Sequence, residues 1–156
     1  MTRGMREPLT EELAYLAGIV DGEGCVGAYS TSGTRPKRAS FRFSVCVAMC
    51  ERAALDLFVE LYGGAVRSSM RGGRRRPIFS WTVYADRAAA VASDVLPYLR
   101  VKRGQAEALI EARNTVNGVY AKGVSGMKPA TDQDYALRDI CRRRIVQLNQ
   151  HLVENI

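Results

Sequence analysis

The chain has 156 residues, 47% of them hydrophobic, enough to bury one sizeable core and within the usual size of a single domain. Lys and Arg number 23 against 16 Asp and Glu, so a chain of formal charge +7 attracts polyanions, with nucleic acid the leading class of partner. No uncharged apolar run long enough to span a membrane and no N-terminal apolar h-region occur, so the expectation is an intracellular protein that neither crosses a membrane nor carries a secretory leader.

The cysteines Cys25, Cys46, Cys50 and Cys141 form no CxxC pair, and the single histidine is His151, so zinc-ligand spacing is missing. They are expected to be reduced, buried thiols, and nothing implies a small-molecule cofactor.

In chain order, Leu13, Leu16, Ala17 and Val20 recur on one helix face after Pro8, Thr10, Glu11 and Glu12, which predicts a helix over 10–20 stopped by Gly22 and Gly24. A strand over 25–31 and a second from Ser40 follow as a hairpin. In the second strand Phe41, Phe43, Val45, Val47 and Met49 alternate with Arg42, Ser44, Cys46 and Ala48. A helix over 51–62 ends at Gly63 and Gly64, and a second hairpin pairs 65–71 with 78–85. Asp86 is expected to cap a helix running to about Leu99, broken or redirected near Pro97, and further helices cover 103–116 and 132–152 around a loop over 117–130.

The expected fold class is α+β: an αββαββα core over 10–115, with a four-stranded antiparallel sheet covered by helices on one face, and a C-terminal helical part over 116–156, all in one domain 1–156. The uncovered face then carries Tyr29, Thr31, Arg42, Ser44, Arg67, Ser69, Arg71, Ser80 and Thr82, with Arg35, Lys37, Arg38, Arg74, Arg75 and Arg76 at the hairpin tips. Arginine forks and hydroxyls suit base edges and phosphates, so this face is the candidate DNA-binding surface. Tyr29 is the chief aromatic on it, which argues against a base-stacking RNA reader.

Residues 16–24 read LAGIVDGEG. Ala14, Ala17, Gly18 and Gly22 are small, so a second copy of this helix can approach closely across a two-fold axis, bringing both copies of Glu23 near it. Asp21 and Glu23 face the negative end of the helix dipole, badly placed for stability and well placed for a cation.

This segment resembles the nine-residue signature of the LAGLIDADG homing endonuclease family, with Glu23 in place of the second Asp. The resemblance extends through the hairpin, helix, Gly-Gly, hairpin and helix to LRVKRGQA at 99–106, and weakly to Leu148 and Asn149. It implies a homodimer, with Leu13, Ala14, Ala17, Gly18 and Asp21 at the interface, because each chain carries one motif. It implies that Glu23, helped by the Gly22 carbonyl, binds the divalent metal at the scissile phosphate, with Asp21 supporting and Lys102 beside that phosphate, Arg103 being the substitute. Val47 and Glu51 stand where relatives often carry polar or basic residues. Oxygen ligands suit a hard cation, so Mg²⁺, or Mn²⁺, is the expected metal.

The expected function is site-specific, metal-dependent hydrolysis of both strands of a long, near-palindromic DNA duplex, leaving short 3′ overhangs, as in an intron-borne homing endonuclease. Its rivals are a non-cleaving DNA- or RNA-binding relative, such as a maturase or transcriptional regulator, and a basic RNA-binding protein.

Overall fold

A computed structural model describes residues 6–31, 40–70, 72–73, 75–115 and 131–154. The elements in chain order are α1 (Thr10–Glu23), β1 (Gly24–Thr31), β2 (Ser40–Met49), α2 (Arg52–Tyr62), β3 (Val66–Ser69), β4 (Ile78–Tyr84), α3 (Ala85–Val95), a 3₁₀ turn (Leu96–Tyr98), α4 (Arg103–Asn114) and α5 (Asp132–Glu154). The strands form one antiparallel sheet in the order β1-β2-β4-β3. This is the expected α+β arrangement.

The alternation in β2 decides which face is covered. Val45 and Val47 point into the helices together with Val26 of β1 and Trp81 and Val83 of β4, and all are buried. Leu16 and Val20 of α1, Leu55 and Phe58 of α2, Val91 of α3, Leu109 of α4 and Ile145 of α5 complete that core. Phe58 packs on Trp81 with ring centroids 4.8 Å apart, a contact worth about 0.5–1.5 kcal/mol beyond its area.

The Trp81 indole N–H donates to the Gly63 carbonyl at 2.9 Å, tying β4 to the end of α2. Gly63 and Gly64 have φ of +72° and +89°, and a Cβ on Gly64 would lie 3.0 Å from that indole nitrogen, so the glycine pair is required there.

α1 starts where the Glu12 carboxylate accepts the Leu9 N–H at 2.9 Å while Arg6 holds both its oxygens at 2.6 and 2.7 Å. These bonds, Arg6 first, hold the Glu12 carboxyl down at about 2. The helix runs on to Glu23, three residues past the predicted stop at Val20. Gly22 is accommodated within it. The chain turns at Gly24, where a Cβ would stand 2.7 Å from the Val20 backbone.

Two other expectations are corrected. Asp86 does not cap α3: Tyr84 occupies the N-cap, and Asp86 is ion-paired with Arg113 of α4. The break expected near Pro97 is present: α3 ends at Val95 and Pro97 falls in the 3₁₀ turn that follows. Of the cysteines only Cys141 is buried, whereas Cys25 and Cys50 are exposed and Cys46 is half-buried. Cys25 and Cys46 sit at positions whose alternation faces away from the core. The predicted loop over 117–130 lies outside the described residues.

α5 shields the free edge of β1. Asn149 donates to the Val26 carbonyl at 3.0 Å, and Gln105 of α4 reaches Asn149 at 3.4 Å. An edge strand otherwise presents unpaired backbone groups to any passing strand.

Candidate nucleic-acid interface and metal centre

The last turn of α1 carries two acids with different surroundings. Asp21 reaches across to the segment before α4: its Oδ2 accepts the Arg100 N–H at 2.8 Å, and its Oδ1 accepts those of Val101 at 3.2 Å and Lys102 at 2.9 Å. Three main-chain donors on one ionised carboxylate form a strong anchor. The structure thus gives Asp21 a scaffolding part, fixing Lys102 against α1.

Lys102 is only 8% exposed. Its ammonium donates to the Val20 carbonyl at 2.9 Å, which also accepts the Gly24 N–H, and to the Asp21 carbonyl, both at the C-terminal, negative end of α1. Burial pulls the Lys102 ammonium below its usual range, and the charges of Asp21, Cys25 and Glu23 pull it back up. Two of its three N–H bonds are spent on the helix end, so one remains for an outside acceptor. Arg103, the substitute, is instead paired with Glu107 one turn along α4 at 3.1 Å.

Glu23, the final residue of α1, is exposed and makes no hydrogen bond or ion pair among the described residues. Gly22 beside it is exposed as well, with nothing within 4 Å of an added Cβ. A carboxylate and a neighbouring carbonyl are hard oxygen donors, the type a Mg²⁺ ion accepts while keeping several waters. Among the described residues no group of three or more His, Cys, Asp or Glu is clustered to hold a metal. The oxygen pair fits a hard cation that takes its other ligands from outside these two residues.

Val47 and Glu51 have local explanations. Val47 is fully buried on the core side of β2, and Glu51 caps α2, accepting the Ala53 N–H at 3.2 Å.

The helix face that points outward is Glu11, Ala14, Tyr15, Gly18 and Gly22, all exposed. Ala14 and Gly18 were predicted for it. Ala17 was too, but it is 0% exposed inside its own chain, since one residue along a helix turns the side chain by about 100°. Leu13 is half-buried at the margin. Tyr15, 54% exposed, was missed, although its position four residues after Glu11 and three before Gly18 gave the signal.

On the uncovered sheet face, β1 contributes Cys25, Gly27 and Tyr29, β2 Arg42, Ser44, Cys46 and Ala48, β4 Ser80, Thr82 and Tyr84, and β3 Arg67 and Ser69. Tyr29, Arg42, Ser44, Cys46, Thr82 and Tyr84 line one groove there. The Arg42 guanidinium lies 5.2 Å above the Tyr84 ring, an arrangement that holds the fork in place.

Ser44 departs from expectation: it is 2% exposed, shielded by Tyr29, whose hydroxyl would lie 2.9 Å from a Cβ on the intervening Gly27. Tyr84 was missed by stopping the alternation at Thr82. Arg75 and Arg76 are exposed at the tip of the second hairpin. Arg35, Lys37, Arg38, Arg71, Arg74 and the Thr31 side chain lie outside the described residues.

A helix ending in an exposed carboxylate, followed by a four-stranded sheet with one open face, defines an α+β protein of αββαββα order as the class. No protein-family model and no curated protein matches the sequence. Among solved structures, the chain is similar to the homing endonuclease I-CvuI in complex with its target in the presence of Ca, with a TM-score of 0.64 and 20% identity over 88% of this chain and 82% of that one. It is similar to the homing endonuclease I-TnaI at a TM-score of 0.58 and 13% identity, covering 91% and 96%. The LAGLIDADG homing endonuclease I-GzeII in complex with its DNA target aligns at a TM-score of 0.55 and 14% identity, covering 87% of this chain but 43% of that one. The chain has the fold of the LAGLIDADG homing endonucleases.

Proposed function

We propose that the protein is a site-specific DNA endonuclease of the LAGLIDADG type, acting as a homodimer that cuts both strands of a duplex with Mg²⁺ or Mn²⁺. The observation that carries this reading is the unpaired Glu23 carboxylate at the end of a helix whose outward face is made small by Ala14, Gly18 and Gly22. An unsatisfied acid at the negative end of a helix dipole works against stability, and a divalent cation removes that cost.

One chain supplies one Glu23, and two strands require two. Packing Gly18 of one copy on Gly18 of another lets two α1 helices approach closely, and puts both carboxylates near the axis. The basic sheets of the two copies then run outward along one duplex, with Arg42, Arg67, Arg75 and Arg76 toward it.

Glu23 and the Gly22 carbonyl would hold the metal, which when bound lowers the pKa of a water and offsets charge on the phosphate. Lys102, fixed by Asp21 through its backbone, keeps the last turn of α1 rigid under Glu23 and has one N–H left for a phosphate oxygen. Arg42 on Tyr84 is pre-set for a base edge or a phosphate.

The direct test is to incubate the protein with a randomised duplex library in Mg²⁺ and sequence the cut ends. The expected outcome is one enriched, near-palindromic site with paired cuts on the two strands. A pool that is bound and enriched but uncut favours the non-cleaving relative, and no enrichment of any duplex removes the reading.

A further inference from the structure

We propose that Cys25 and Cys46 form an oxidisable dithiol that closes to a cross-strand disulfide on the uncovered sheet face, a modification site independent of the DNA reading above. The two residues are direct partners in the β1–β2 ladder, so their side chains leave the sheet on the same side. Directly opposed residues of an antiparallel pair have Cα atoms about 4.5 or 5.5 Å apart, and a disulfide accepts about 4.4–6.8 Å. Either kind of pair therefore falls within reach.

The pair is accessible. Cys25 is exposed and Cys46 half-buried, so a small reagent reaches the pair from the open side. Gly24 and Gly27 flank Cys25 and bring no side chain over it. Neither remaining thiol competes well: Cys50 lies beyond the end of β2 and Cys141 is buried on the inner face of α5.

A small-molecule disulfide such as oxidised glutathione supplies the oxidising equivalents. One protein thiolate attacks a glutathione sulfur, forming a mixed disulfide and expelling one glutathione thiolate, which takes up a proton. The second protein thiol loses its proton and attacks the protein-side sulfur, forming the Cys25–Cys46 bond and releasing the second glutathione. Two cysteines lose two electrons, and one glutathione disulfide becomes two thiols.

The bond would lie two residues after Glu23 and lock the exit of α1 to the neighbouring strand. The test equilibrates the full chain in graded ratios of reduced to oxidised glutathione, quenches with acid, alkylates under denaturing conditions and maps peptides without reduction. The expected result is a linked Cys25–Cys46 peptide within one chain, full alkylation of Cys50 and Cys141, and reversal by dithiothreitol. In Cys25→Ser or Cys46→Ser the remaining partner should instead keep a stable glutathione adduct. Four alkylated cysteines at every ratio, glutathione adducts in the unaltered chain without a link, or a link to Cys50 or between chains would each overturn the proposal.

Discussion

Replacing Asp21 by Asn keeps its size and removes the charge that holds the segment before α4. In the structure one carboxylate accepts three main-chain N–H groups, from Arg100, Val101 and Lys102, at 2.8, 3.2 and 2.9 Å. Hydrogen bonds to a charged acceptor contribute roughly 1.5–3 kcal/mol each. The side chain is partly exposed, and the Asn carbonyl still accepts one or two of them, while its amide turns donors toward a donor. The net loss is then about 2–4 kcal/mol, and at about 2–4 °C per kcal/mol for a chain of this size the Tm falls by roughly 5–15 °C. Circular-dichroism melts at neutral pH measure it. Asp56→Asn is the control, because its pair with Arg52 is 3.4 Å long and exposed on both sides, worth less than about 0.5 kcal/mol. If Asp21→Asn melts within a couple of degrees of the unaltered protein while the control does too, the carboxylate is not the anchor described.

Gly18→Leu should separate the dimer without harming the chain, because nothing lies within 4 Å of an added Cβ and a helical Leu is favoured over Gly by nearly 1 kcal/mol. Light scattering should give a dimer before and a monomer after, and a variant that stays dimeric places the interface elsewhere. Arg75→Ala with Arg76→Ala should lower the slope of log affinity against log salt by up to about two, and an unchanged slope moves the phosphate contacts off this hairpin tip. Glu12 has a folded pKa lowered from 4.5 to about 2 by Arg6 and the Leu9 N–H, so its contribution is complete above 4.5 and lost as pH falls toward 2. Stability of the unaltered protein should therefore exceed that of Glu12→Gln at neutral pH by a gap that closes across that window. A gap of constant size would show the pair to be irrelevant to acid stability.

The sheet was legible because β2 alternates strictly over 41–49, and one face of it had to be core. The same alternation carried past Thr82 would have reached Tyr84, and applied to Cys25 and Cys46 it contradicts their expected burial. Helix faces were less legible. Ala17 and Gly18 are both small, and only packing reveals which of them turns inward.

Gly22 looked like a stop, yet the Asp21 and Lys102 bonds support one more turn of α1. Those bonds join residues about 80 positions apart, and no local pattern of side chains reports such a contact. The burial of Lys102 likewise follows from where α1 ends against α4, which the spacing of charges along the chain does not contain.

The central claim is that Glu23 holds the cation that cuts DNA, and Glu23→Gln tests it while preserving side-chain size. Cleavage and gel-shift assays on the duplex selected from the library, run in Mg²⁺ and again in Ca²⁺, separate catalysis from binding. Affinity should persist, since the proposed phosphate contacts lie on the sheet face, away from Glu23. Cleavage should fall by orders of magnitude, because in the proposed dimer a single carboxylate would hold the metal in each half. A Glu23→Gln protein that binds and cuts at the unaltered rate would contradict the account and put the metal elsewhere.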